Sequence, residues 1–355
     1  MKRIIFFVLL VILLAISVGC GKEEAAPVVA EPLEDEQTEE NSEKDEKDKA
    51  EPKFANVYPL TGIGTNEEVD QRTIAVMINN DPKARPQTGL QKADIVYEVL
   101  AEGNITRFLA IFQSDKPESI GPVRSARDYF INLSKGYDSI YISHGWSPEA
   151  QMMLQGNEVD YLQGLFHDGT LFKRADFRKA PHNSYITYES VWKGAEQKKY
   201  KTTHTIEPLS FLSSEEAASI TGENGENVMI AYSTSGFSIV EYMYNRDTGK
   251  YERYSGEERT EDLESGEPVL LDNIFIVETS HKVVDSKGRR DIDLTSGGKG
   301  LLLQKGKVRE VEWKNSNGRI LPYLDGKEVG FVPGKTWINV VPSLSEDMVS
   351  FQVAN

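Results

Sequence analysis

The run at residues 73–78, TIAVMI, constrains this chain more than any other stretch. It carries no charge and, after its threonine, no polar side chain, so it has no face to offer to water. Such a run belongs to a strand covered on both sides of a sheet. It stops at Asn79-Asn80-Asp81-Pro82, a strong turn signal. Two further apolar runs lie at 95–101 and 106–113, and Gly103-Asn104 between them predicts a hairpin. A buried sheet needs a layer on each face, and the next signals supply helices. Ser147-Pro148-Glu149 starts one that runs to about Gln155, because Ser caps a helix and Pro suits its first turn. A second is expected over 188–199. A third is expected directly after Gly121-Pro122, with Arg124, Arg127 and Asp128 close to one face near its start.

After Phe211 the texture changes. Residues 227–355 read as short strands at regular spacing, with turns at Asp247-Thr248-Gly249, Asn317-Gly318 and Asp325-Gly326. Residues 238–244 and 250–254 alternate as a hairpin, and 273–284 is expected to pair with 301–313. Trp313 and Trp337 are expected as core anchors. The fold class is therefore α/β, more narrowly α+β. It comprises an N-terminal α/β domain at 56–212 and a β-rich C-terminal domain at 213–355.

The first 55 residues fix a place. Lys2 and Arg3 precede an almost unbroken apolar run from Ile4 to Val18, too short to cross a bilayer as a stable helix. The leader, 1–19, ends at Ser17-Val18-Gly19 before Cys20, the one cysteine of the chain, which excludes an intramolecular disulfide. A small residue before a cysteine at such a point resembles a bacterial lipobox. The resemblance implies cleavage before Cys20 and a lipid on its thiol. Residues 20–55 then form the tether. It has almost no bulky apolar residue, carries a net charge of −8 and is expected to be disordered. The body beyond it retains −10 of the chain's −16. An acidic body argues against nucleic acid as a partner.

Polar residues set among Gly and Pro turns gather between 121 and 183, and they are the candidate site: Arg124, Arg127, Asp128, His144, Arg178, His182 and Asn183. Guanidinium groups bind phosphate or carboxylate in a forked geometry, so the three arginines could clamp an anion. Alternatively they pair with Asp128, Asp176 and Asp168 as structural salt bridges. Asp81 and Asp94 could hold a hydrated magnesium ion, or be solvated turn carboxylates. The histidines lack the i,i+4 spacing of a zinc site on one helix face. Ser143 beside His144 is no nucleophile–base pair, because neighbours in a strand face opposite ways. His182 is a candidate general base or ligand donor. No Walker loop and no dinucleotide fingerprint is present.

TIAVMINNDPKARPQTGLQKADIVYEVLAEGNITRF, GPVRSARDYF, HGWSPEA, FRKAPHNSY and GKTWINVVP together resemble the YerB-like bacterial lipoproteins over nearly all of 58–342. The resemblance implies a lipid-anchored, two-part domain of unknown function, layered as sheet, sheet and helices, on the outer face of a Gram-positive cell membrane. It brings no reaction, substrate or catalytic residue. The N-terminal half is also similar to the LytR-CpsA-Psr enzymes, which move wall polymers from a polyprenyl pyrophosphate carrier. That likeness implies Asp81 and Asp94 on magnesium and Arg124 and Arg127 on the pyrophosphate. Here the arginine beside the second aspartate is missing and no Thr succeeds Asp128. The leading expectation is a non-catalytic protein that binds an anionic wall or lipid-linked component and needs no cofactor. The alternatives are the magnesium-dependent transferase and a scaffold for envelope proteins that docks through its β-rich half.

Overall fold

The computed structural model describes residues 54–352. The leader, Cys20 and nearly all of the tether lie outside the described residues. The run that stops at Asn79 forms the strand Ile74–Asn79, buried at every position. Its neighbours are Ile105–Phe112, antiparallel, and Ile140–Ser143, parallel. Because successive side chains point to opposite faces, it feeds two cores. Ile74, Val76 and Ile78 join one, and Ala75 and Met77 join the other.

The first core is closed by a second, six-stranded sheet, which contributes Val228, Ile230, Val240, Tyr242 and Tyr251. The helix Tyr188–Lys198 adds Val191 and Ala195 on the same side. The second core is closed by the helices Asp128–Lys135 and Pro148–Gln155, through Tyr129, Phe130, Leu133, Ala150 and Leu154. Sheet, sheet and helices are thus the three layers. Ser147 accepts from Ala150 N–H at the start of the second helix, with Pro148 in its first turn. The hairpin through Gly103 and the hairpin that pairs Tyr244 with Tyr251 both form. Trp313 and Trp337 are wholly buried.

The large sheet has twelve strands among the described residues and crosses residue 212. Thr336–Val341, near the end of the chain, lies parallel between Ile95–Glu102 and Asn273–Glu278. The described residues fall within one compact unit.

Three expectations change. No helix starts directly after Gly121-Pro122. Val123 N–H bonds Ser184 O at 2.6 Å, Arg124 N–H bonds Met77 O at 2.8 Å and Ala126 N–H bonds Gly145 O at 2.9 Å. The segment is therefore held extended, and the helix begins only at Asp128 with Arg127 as its cap residue. The run at 273–284 ends as a core strand at Glu278, after which His281–Val283 turns away to pair with Arg290–Ile292. The run at 301–313 is two strands, broken at Lys305-Gly306, where both residues have positive φ.

Candidate functional site

Ile74–Asn79 and Ile140–Ser143 are parallel neighbours, so the loops that leave their C-terminal ends emerge at the same sheet edge. One loop delivers Asn80 and Asp81 just past Asn79, and the other delivers His144 and Gly145. The extended segment 122–126 lies across this edge. The short strands Phe172–Arg174 and Ser184–Thr187 bring Arg174, His182, Asn183 and Ser184 beside it. Three cis X-Pro bonds, before Pro86, Pro122 and Pro181, lie in these loops.

Hydrogen bonds fix the state of both histidines. Asn79 Oδ1 accepts Asp81 N–H at 3.0 Å, so its amide NH₂ donates to His182 Nδ1 at 2.9 Å. The His182 proton therefore sits on Nε2. Arg174 Nη2 lies 2.8 Å from His144 Nε2 and can only donate, so His144 carries its proton on Nδ1. That nitrogen lies 2.7 Å from Ser184 Oγ and donates to it. His144 thus has no lone pair to offer Ser184, which excludes this pair as nucleophile and base in this arrangement. Burial holds both rings below the usual imidazole range, helped by Arg174 at His144 and by Arg124 at His182, where Asp81 opposes the shift. Both are neutral at pH 7.

The arginines separate by their partners. Arg107 and Arg127 converge on Glu102, the first with Nη2 at 2.6 Å from Oε2 and the second in close contact with Oε1. Arg174 pairs with Asp168 and reaches Asn183 Oδ1 at 3.1 Å. Arg178 donates to Tyr185 Oη and Pro86 O, both at 2.7 Å. The alternative in which Arg124, Arg127 and Arg178 pair with Asp128, Asp176 and Asp168 is therefore not what forms among the described residues. Arg127 found a carboxylate on the neighbouring hairpin, and Arg178 found neutral oxygens. Asp128 sits in the first turn of its helix, where burial raises its pKa.

Arg124 is different. Its guanidinium has no ion pair and no side-chain hydrogen bond among the described residues, and its Nε is buried without a partner. Burial and the nearby Arg107 bring its pKa down to about 10, against the pull of Asp81. The same guanidinium acts on His144 and His182, so one local field joins Arg124, Asp81, His144 and His182.

Asp81 and Asp94 are not brought together. Asp94 precedes the strand Ile95–Glu102 at the end where Ile95 pairs with Ile111, and Asp81 lies beyond Asn79 at the end where Asn79 pairs with Arg107. At about 3.3 Å per residue they lie roughly 16 Å or more apart. Asp94 is also fully buried, and its oxygens are taken by Gln113 N–H, Ser114 N–H and the Ser114 hydroxyl. This donor set does not fit magnesium. No cluster of three or more metal-binding side chains occurs among the described residues.

Sequence reasoning missed Asn79, Arg107, Arg174 and Ser184. Arg107 had a readable signal, a lone charge inside the apolar strand ITRFLAIF. The others depend on which loops meet.

The layered fold and its loop edge define a two-part α+β protein whose halves share one sheet. The chain belongs to the DUF3048 family. The model "Protein of unknown function (DUF3048) N-terminal domain" matches residues 60–201, and the corresponding C-terminal domain matches 228–338. The chain is 54% identical over 294 residues to YerB of Bacillus subtilis (strain 168), a protein whose name assigns it provisionally to the lipoproteins. The match covers 82% of this chain and 88% of that one. The crystal structure of YerB protein from Bacillus subtilis matches with a TM-score of 0.77, covering 83% of this chain and 99% of that chain.

Proposed function

We propose that this chain is a membrane lipoprotein, anchored through a lipid on Cys20 at the outer face of a bacterial membrane. There it captures an anionic group of a cell-envelope ligand at the loop edge around Arg124. The observation that carries this reading is the Arg124 guanidinium. The other arginines named at this edge all have partners, and a largely buried cation without one is costly to keep. An arriving phosphate or carboxylate would supply what the fold leaves out. His182 Nε2–H and the Ser184 hydroxyl, whose oxygen already accepts from His144, add neutral donors at the same loop edge. In a body with a net charge of −10, such a spot is a local exception. The transferase reading has no assembled carboxylate pair to support it.

The test is calorimetric titration of the mature protein with inorganic pyrophosphate and with a soluble peptidoglycan fragment bearing free carboxylates. Binding of the first alone would assign a phosphate ligand, and of the second alone a carboxylate. Losing a charge-assisted contact costs about 1.5–3 kcal/mol, so Arg124→Gln should weaken binding roughly ten- to a hundredfold, while Arg246→Gln, on a remote and exposed ion pair, leaves it intact. Equal binding by wild type and Arg124→Gln would sink the proposal.

A further inference from the structure

The six-stranded sheet does not cover the whole face of the large one. Beyond it, the strands Gly298–Gln304, Lys307–Ser316 and Arg319–Leu324 leave an outward face that forms the floor of a groove of about 600 Å³. Leu301 and Tyr323, on the same face as Glu310 and Glu312, supply apolar floor, and Leu344, Val349 and Phe351 form one wall. Phe351 is 39% exposed, which is high for a large apolar side chain.

That wall is a strand edge. Val349–Phe351 is the last strand of the smaller sheet and, among the described residues, pairs on one side only, with Asn227–Ala231. Gln352 N–H bonds Asn227 O and Ala231 N–H bonds Met348 O. Residues 348, 350 and 352 therefore face the neighbouring strand. By the alternation of an antiparallel ladder, Phe351 turns its N–H and C=O to the open side, as Val349 does its C=O. An open edge of this kind is a template for an added strand.

Charge selects the occupant. Glu310, Glu312, Asp325 and Glu346 line the groove against a single cation, Lys299, a net of −3. The chain's own tether, at −8, is repelled, and so is a second copy of this acidic body. We infer that the groove docks an extended segment of a partner protein that alternates basic and apolar residues. Such a segment would add as a strand to Val349–Phe351, and because its side chains alternate, the basic set on its inner face would lie over Glu310 and Glu312. This surface is separate from the Arg124 edge, so either proposal can fail without the other.

The probe is a synthetic peptide of alternating Lys and Val, titrated by fluorescence anisotropy into the mature protein. The comparison peptides are a Glu/Val counterpart and a Lys/Val peptide N-methylated at every second residue. The Lys/Val peptide should bind, the Glu/Val peptide should not, and N-methylation should abolish binding by removing the ladder donors. Glu310 and Glu312 are exposed, so Glu310→Lys with Glu312→Lys should fold normally, which circular dichroism would verify. The double variant should weaken the Lys/Val peptide by about tenfold or more, with much of the loss in association rate. Equal binding of the N-methylated peptide, or no effect of the double variant, would overturn the inference. So would a protein dimer in sedimentation that the double variant dissociates, because the occupant would then be a second copy.

Discussion

At the scale of single residues, the two polar centres do opposite jobs. Around Arg124 charge is left uncompensated, whereas at Glu98 every charge is matched. Glu98 and Arg253 are both fully buried and meet through two contacts of 2.9 and 3.0 Å. Thr106, Asn80 and Trp337 donate to the same carboxylate, and the guanidinium stacks 4.6 Å over the Trp337 ring. Arg253 comes from the smaller sheet and Glu98 from the larger, so the pair fixes how the two faces meet. Glu98→Ala should destabilise the protein by about 3–5 kcal/mol, because it strands a buried guanidinium, and Glu98→Leu with Arg253→Met should recover most of that loss. Urea unfolding of the three proteins checks both statements.

The histidines at the Arg124 edge give a second prediction at this scale. Their folded-state pKa values lie below the ordinary 6.5, so both rings take up protons only as the pH falls beneath that value. Each proton adds a positive charge next to Arg124. Affinity for sulfate, whose own charge is constant over this range, should therefore rise as pH falls below about 6.5, and His182→Gln should flatten the rise. The same shift works against the fold. A base with a depressed folded pKa adds stability above its unfolded value and loses it as pH falls toward the folded one. Binding is accordingly measured where circular dichroism still shows the native state.

Elements were legible in the sequence to the degree that their signals were local. Ile74–Asn79 announced itself by having no polar face, and the helix from Pro148 by a serine cap with proline in the first turn. Ser147→Ala should cost about 1 kcal/mol in thermal or denaturant unfolding, since it orphans the Ala150 N–H. The segment 121–127 misled for a physical reason. Its spacing of Arg124, Arg127 and Asp128 suits a helix, yet its backbone groups are claimed by Met77, Ser184 and Gly145, from three distant parts of the chain. Local periodicity carries no record of such contacts. The site was legible to the same extent. Arg124, His144, His182 and Asn183 stood out as residue types among turns, but which arginines have a carboxylate partner, as Arg107 and Arg127 do in Glu102, is set by contacts between distant segments.

For the whole molecule, the decisive fact is where Thr336–Val341 goes. A strand from near the end of the chain is the parallel neighbour of Ile95–Glu102, deep in the N-terminal half. Its Trp337 packs edge-on against Phe108 at 5.0 Å and donates to Glu98. Residues 56–212 alone would therefore present Ile95–Glu102 as an unpaired and largely apolar edge. They would also lack Arg253 opposite Glu98. Either defect is costly, and a long apolar edge is an invitation to aggregate. The fragment should thus fail to fold in isolation, while residues 56–355 together unfold in one cooperative step with equal calorimetric and van't Hoff enthalpies. Co-expression of 56–212 with 213–355 as separate chains should restore soluble protein, because the second chain returns both the strand and the cation. A protease-resistant, well-dispersed 56–212 fragment would show instead that the two halves matched by the family models are independent folding units joined by a shared sheet.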